Sequence, residues 1–206
     1  MSDGSLEVRR LRPVEDSRLF RQLAEIHQEE ITAGFLSTLG PDFLERLYRF
    51  IAASRHAFIF AATGQGQARG FICGSLNTNR LYRDLLLRHG WELAPRLLPR
   101  IFSVARLRRL KETLFYPQKR ECRELPVSEI LNFCVRRRYQ RQGIARLLFK
   151  YLVAEFKSFQ IEKIKIVTGE QQTSAQAFYQ AMHARQISDL IIHDGTLSHV
   201  FIYDID

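Results

Sequence analysis

The stretch Arg136 to Arg146 joins a run of arginines to a glycine at the start of a helical pattern. Gln140, Gly143 and Ala145 stand at Q-x-x-G-x-A spacing, after the apolar Glu129-Ile130-Leu131-Asn132-Phe133-Cys134-Val135 and just before a long amphipathic run. A turn that feeds a helix aims several free N–H groups, and the positive end of the helix dipole, at one spot; such a spot binds phosphate. Gly143 lets the backbone curl and approach closely, Ala145 leaves no bulk between helix and ligand, and the nearby arginines add charge. A pyrophosphate-bearing ligand fits this pattern. The structural alternative is a glycine that merely packs at a helix start.

The elements that must position this turn are legible from periodicity. Leu6 to Leu11 reads as a first strand and Val14 to Glu30 as a helix with Leu19, Leu23 and Ile26 at helical spacing. A second helix opens at Gly40-Pro41-Asp42, with Pro41 in the first helical position. Ala57 to Thr63 and Ala68 to Asn77 form a hairpin around Gly64-Gln65-Gly66-Gln67. Those glycines join two strands and miss the dinucleotide spacing, so they are turn glycines. Ser128 to Val135 is a strand, and Gly143 to Phe159 a helix with Ile144, Leu147, Leu148, Tyr151, Leu152, Phe156 and Phe159 facing inward. Lys163 to Thr168 is a strand and Thr173 to Ala184 a helix with Ala175, Phe178, Tyr179 and Met182 on one side. Strands Ile187 to His193 and Ser198 to Asp204 flank the turn Asp194-Gly195. The order βααββ, an interruption, then βαβαββ gives a mixed α/β class in a single domain over residues 1–206.

The 206 residues carry 31 basic and 22 acidic side chains, a formal net charge of +9. Between Arg80 and Arg120 stand eleven basic and three acidic residues, a net of +8, so nearly all the imbalance belongs to this one segment. It lies in the interruption Thr78 to Val127, where leucines recur at near-helical spacing and Pro95 and Pro99 should divide the run into short helices. Such a segment suits an anionic membrane surface, nucleic acid or a phosphorylated small molecule; a solvated helical face is the plain alternative. No nucleic-acid reading motif accompanies it, which leaves nucleic acid weakly supported. A hydrophobic content of 46% excludes a disordered chain. No apolar run approaches the ~20 residues of a membrane span. Cys73, Cys122 and Cys134, odd in number and widely spaced, point to reduced thiols and a cytoplasmic setting.

From about Ser128 to Asp206 the chain resembles the GNAT superfamily of acyl-CoA-dependent N-acetyltransferases. The strand-turn-helix with Gln140-x-x-Gly143-x-Ala145 is similar to that family's pyrophosphate loop, and Gln172-Thr173-Ser174-Ala175-Gln176-Ala177-Phe178-Tyr179 to its second cofactor segment. The resemblance implies a mostly antiparallel central sheet whose fourth and fifth strands splay apart, flanked by helices, with the basic segment as a helical insertion between the third and fourth strands. It also implies acetyl-CoA as cosubstrate; the absence of paired cysteines and of zinc motifs gives no reason to expect a metal. Phe133, Cys134 and Val135 would offer main-chain groups to the pantetheine arm, and Arg141, Gln142, Gly143, Ile144, Ala145 and Arg146 would wrap the pyrophosphate, with Gln140 opening the motif. Gln172 stands where the family often has Asn near the pantetheine. Tyr179 falls where the family has a tyrosine that protonates the departing thiolate; a core tyrosine is the alternative. Where the family shows Gly-Phe after that helix this chain has His183-Ala184, and where some relatives carry a glutamate it has Val167.

Direct acyl transfer needs an amine that loses a proton, a donor for the oxyanion, for which the backbone near Val135 is the candidate, and an acid for the thiolate. Glu129 and Glu170 are the candidate bases, each weighed against a solvated charge, and a water chain is the other option. Cys134, without a paired His and Asp, reads as a small buried residue. The six histidines are scattered, and no elbow, zinc or Walker motif is present. The leading expectation is acetylation of a small-molecule amine, with a nucleotide-linked amino sugar as the acceptor that the basic insertion would attract. Acetylation of a protein amino terminus or lysine is the alternative within the class; a non-catalytic module docking to an anionic partner is the alternative outside it. The edges of the terminal hairpin permit a homodimer.

Overall fold

A computed structural model describes residues 6–14, 17–31, 35–97, 125–192 and 196–205. In chain order the elements are β1 (Glu7–Arg10), α1 (Ser17–Glu30), α2 (Pro41–Ala53), β2 (Ala57–Gly64), β3 (Gln67–Ser75), α3 (Thr78–Leu97), β4 (Glu129–Val135), α4 (Ile144–Ser158), β5 (Lys163–Gly169), α5 (Thr173–Ala181), β6 (Arg185–Ile192) and β7 (Thr196–Asp204). Short 3-10 turns occupy Phe35–Leu39 and Arg137–Tyr139. Among the described residues the strands form one seven-stranded sheet in the order β1-β2-β3-β4-β5-β7-β6, antiparallel except for β4 and β5. This is the mixed α/β architecture expected from the element order.

Helices cover both faces. On one, α1 and α2 bury Phe20, Leu23, Ile26, Leu44 and Tyr48 against Phe71, Cys73 and Cys134. On the other, α4 lays Ile144, Leu148, Phe149, Leu152 and Phe156 on Phe58, Ile72 and Ile130. With helices on both sides, β2 is buried along its whole length, which explains its unbroken apolar run Ala57 to Ala62. The β2–β3 hairpin closes through Gln65 and Gly66 at φ 54° and 72°, the two positive angles that a tight turn of matching twist requires.

Two expectations are corrected. The inward stripe of α4 includes Phe149, while Tyr151 and Phe159 are 42% and 47% exposed. The i, i+4 row 144-148-152-156 and its neighbour 149 define the buried face, and residue 151 falls at its margin. Pro95 does not divide the basic segment: α3 runs unbroken from Thr78 to Leu97, because one lost hydrogen bond near the end leaves the rest of a 20-residue helix intact. Pro99 and Cys122 lie outside the described residues, as do seven of the eleven basic residues between Arg80 and Arg120. The start of α3 is tied down: Thr78 Oγ1 donates to Val127 O at 3.1 Å, Leu81 and Leu85 join the α1–α2 core, and His56 Nε2 lies 3.7 Å from Asp84 Oδ2.

Candidate functional site

The site begins where two strands part. β4 and β5 pair only at Glu129↔Lys165 and Ile130↔Ile166; beyond these rungs β4 bonds to β3 alone. The cause is local. The β3–β4 register slips between Cys73 and Gly74, so Leu131 is an extra residue on β4 immediately after its last rung with β5. A bulge bends its strand and increases the local twist, which turns β4 away from its parallel neighbour. From there to Val135 and Gly169 the two strands are unpaired, which leaves a slot between them.

β4 presents to the slot main-chain groups that β5 does not pair. Arg136 N–H donates to Arg69 O at 2.9 Å, which fixes the alternation back along β4. Asn132 and Cys134 therefore point their N–H and C=O groups at β3, and Phe133 and Val135 point theirs into the slot. Val135 O accepts from Gln140 Nε2 at 2.9 Å, and Val135 N–H remains directed into the opening. Of the three strand residues expected to meet a ligand through their main chain, Phe133 and Val135 turn those groups away from β3 into the slot, and Cys134 turns them to β3.

Past the end of β4 lies the turn into α4. Arg141 (φ 60°) and Gly143 (φ 81°) are both left-handed, and Gly143 caps α4 with open space where a Cβ would stand. The helix makes its first internal bond from Leu147 N–H to Gly143 O, so the amides of Ile144, Ala145 and Arg146 project from its start. The Ile144 side chain is buried, Ala145 is half-buried, and Arg141, Gln142 and Arg146 are exposed around the turn. Gln142 Nε2 donates back to Arg138 O at 3.1 Å, and the Arg138 guanidinium lies 4.9 Å from the Tyr139 ring centre. This arrangement of left-handed backbone, projecting amides and cationic side chains is of a kind that can cradle an anion.

Over the slot sits Tyr179 of α5, buried, its ring centre 6.4 Å from Phe133 on β4 and 6.4 Å from Phe201 on β7. Burial pushes its phenol well above the ordinary range, and the neighbouring Cys134 thiol adds to this, so the hydroxyl stays protonated. Cys134 is itself pushed up by burial and by Glu30, which leaves a neutral, poorly nucleophilic thiol. Tyr179 also sets the exit of its helix. Ala184 N–H donates to Tyr179 O at 2.9 Å and His183 N–H to Gln180 O at 2.9 Å, with His183 at φ 68°. His183-Ala184 thus makes the same left-handed helix stop that a glycine would make.

The carboxylates are placed unequally. Glu129 is not a solvated charge: it is buried, its Oε2 3.3 Å from the buried Lys165 Nζ and 3.2 Å from Thr78 Oγ1. Glu170 is exposed just past β5. Gln172 caps α5 and folds back, its Oε1 accepting Gly169 N–H at 3.0 Å, while Gln176 Nε2 donates to Gly169 O at 2.9 Å. Sequence reasoning did not single out Lys165, Gln176 or Glu30, whose carboxylate accepts Arg137 N–H at 2.7 Å. Only Gln176 carried a local signal, one helical turn after Gln172. Among the described residues no group of three His, Cys, Asp or Glu side chains converges as a metal site would need, and no helix is long and apolar enough to cross a membrane.

A family model described as the acetyltransferase (GNAT) family matches residues 20–184. No curated protein sequence matches the chain. Solved structures with the same fold include the ribosomal-protein-S18-alanine N-acetyltransferase from Escherichia coli, at 12% identity and TM-score 0.58 over 98% of this chain and 95% of that one. NAA60 from Arabidopsis thaliana, solved with acetyl-CoA, aligns at 15% identity and TM-score 0.59 over 98% and 99% of the two chains. An N-acetyltransferase from Staphylococcus aureus Mu50 aligns at 14% identity and TM-score 0.62 over 98% and 100%.

Proposed function

The chain belongs to the acetyltransferase (GNAT) family, and from that premise we propose that it moves an acetyl group from acetyl-CoA directly to the primary amine of a small molecule. The observation that carries this reading is that β4 and β5 part after two rungs, and that β4 runs directly into the left-handed turn at Arg141 and Gly143. A long ligand with a diphosphate at one end and amide groups along its arm matches both parts. The amides of Ile144, Ala145 and Arg146, with the exposed guanidinium groups of Arg141 and Arg146, are suited to the diphosphate. The main-chain groups of Phe133 are suited to the arm, which would take the place of the missing strand pairing.

When bound, acetyl-CoA supplies an activated acetyl group. The protein's part is placement and charge. Val135 N–H, aimed into the slot, is the donor for negative charge developing on the acyl oxygen. Tyr179, held protonated, gives its proton to the thiolate as it leaves. Glu129 is fixed by Lys165 and Thr78 and holds the foot of the slot, so the amine's proton goes to Glu170 or to water. The basic insertion supports an acceptor carrying phosphate, such as a nucleotide-linked amino sugar. A protein amino terminus is the second reading, favoured by the likeness to the ribosomal-protein acetyltransferase.

CoA should raise the midpoint of thermal unfolding, since a ligand of the native state alone must do so. Thiol release from acetyl-CoA is then measured with amines that carry or lack a phosphate or nucleotide handle, and with peptides bearing free termini. Absence of stabilisation by CoA overturns the reading. Equal turnover of amines with and without the handle removes the anionic acceptor, and preference for peptides moves the acceptor to protein.

A further inference from the structure

Glu30, the last residue of α1, reaches the turn that forms the cradle. Its Oε1 accepts Arg137 N–H at 2.7 Å, and its Oε2 lies 3.4 Å from Gln140 Nε2, the same nitrogen that donates to Val135 O at 2.9 Å. Glu25 and Glu29, four residues apart on the same helix, take the Arg136 guanidinium at 3.5 and 3.7 Å. Helix α1 therefore grips both ends of the segment Arg136–Gln140, the stretch of chain between the slot and the cradle.

Charge alone would make this placement unfavourable, because a carboxylate beside an anion cradle repels a diphosphate. Hydrogen bonding gives the opposite sign. The 3-10 turn Arg137–Tyr139 begins with an amide that has no acceptor inside the turn, and Glu30 supplies one that is charged and short. With that turn fixed, Arg141 and Gly143 follow in the left-handed conformations that aim the cradle. The charge cost is reduced because Glu25 and Glu29 are spent on Arg136 and Glu30 on an amide, which leaves Arg141 and Arg146 facing outward.

We propose that Glu30 is a positioning residue for the diphosphate cradle, acting through Arg137 N–H and Gln140; the proposal rests on the acetyl-CoA reading above. It is tested by calorimetric binding of CoA, of 3′-phospho-ADP (the half of CoA that bears the diphosphate) and of pantetheine (the half that lacks it). Wild type is compared with E30A and E30Q. Loss of a charged hydrogen bond should weaken CoA and 3′-phospho-ADP roughly tenfold in E30A. E30Q keeps an oxygen that accepts from Arg137 and should recover most of that loss. Pantetheine should bind all three proteins equally. CoA binding to E30A that equals or exceeds wild type overturns the proposal, as does a loss shared equally by pantetheine, which would mark a general structural role. Wild type that binds neither CoA nor 3′-phospho-ADP would instead remove the acetyl-CoA reading, and the proposal with it.

Discussion

Glu129 and Lys165 are register partners on β4 and β5, and their buried side chains meet, Oε2 to Nζ 3.3 Å, at the first of the only two rungs that join these strands. The pair and the slot are thus built from the same residues. Removing one member takes a counter-charge from a buried group, which costs about 3–5 kcal/mol; replacing both with apolar groups of similar size is close to neutral. Lys165→Met should therefore lower stability in urea by about that amount, and adding Glu129→Leu should restore most of it. A double variant no more stable than Lys165→Met would show that the two groups act independently.

Tyr179→Phe removes a proton donor and keeps the ring that packs on Phe133 and Phe201. The expected result is a fall in kcat of about 10²-fold with little change in melting temperature or in CoA affinity. Steady-state kinetics with thiol detection reads the first, and calorimetry the last. Full activity in the phenylalanine variant would reduce Tyr179 to a core aromatic.

His27 on α1 gives the molecule an acid limit. It is 1% exposed, its Nδ1 lies 2.5 Å from Tyr48 Oη, and burial pulls its pKa down to about 4 from 6.5. Because the unfolded chain takes up the proton first, this histidine costs no stability above about pH 6.5. Its penalty grows as pH falls, reaching about 3 kcal/mol at pH 4. Denaturant midpoints between pH 7 and pH 4 should fall accordingly, and His27→Gln should flatten the slope over that window.

His183 holds a left-handed conformation that L-residues adopt at a cost of about 1–2 kcal/mol. Glycine there removes the strain and gains back some flexibility in the unfolded chain, so His183→Gly should stabilise by about 0.5–1 kcal/mol. A lower melting temperature in the variant would mean that the imidazole makes a contribution of its own.

What could be read in the chain before its structure follows from how local each signal is. The hairpin at Gln65-Gly66, the start of α2 at Pro41 and the left-handed turn at Gly143 depend on residue types that few alternatives replace, and all three are where the sequence pattern puts them. Lys165 reads as an outward lysine in an alternating strand, and the counter-charge that favours its burial stands on β4, thirty-six positions earlier. Glu30 meets Gln140 across a separation of 110 residues, and no window of sequence contains both. Leu131 as a bulge, and therefore the slot itself, is a relation among three strands; the family resemblance implied the splay, while the residues alone did not. The stop at His183 was hidden for a different reason: histidine gives no sign of a positive φ, and only the bonds to Tyr179 and Gln180 reveal it.

The two-rung contact between β4 and β5 has a mechanical side. On either flank of that line the strands are knitted together over seven or more residues, β3 to β2 on one and β5 to β7 on the other. Across it the sheet is a seam held by two stitches, one of them backed by a buried charge pair. A guest lodged in the opening would complete the weave, so the same molecule that is consumed in each turnover would also serve, while it stays, as the missing thread that makes two half-sheets one.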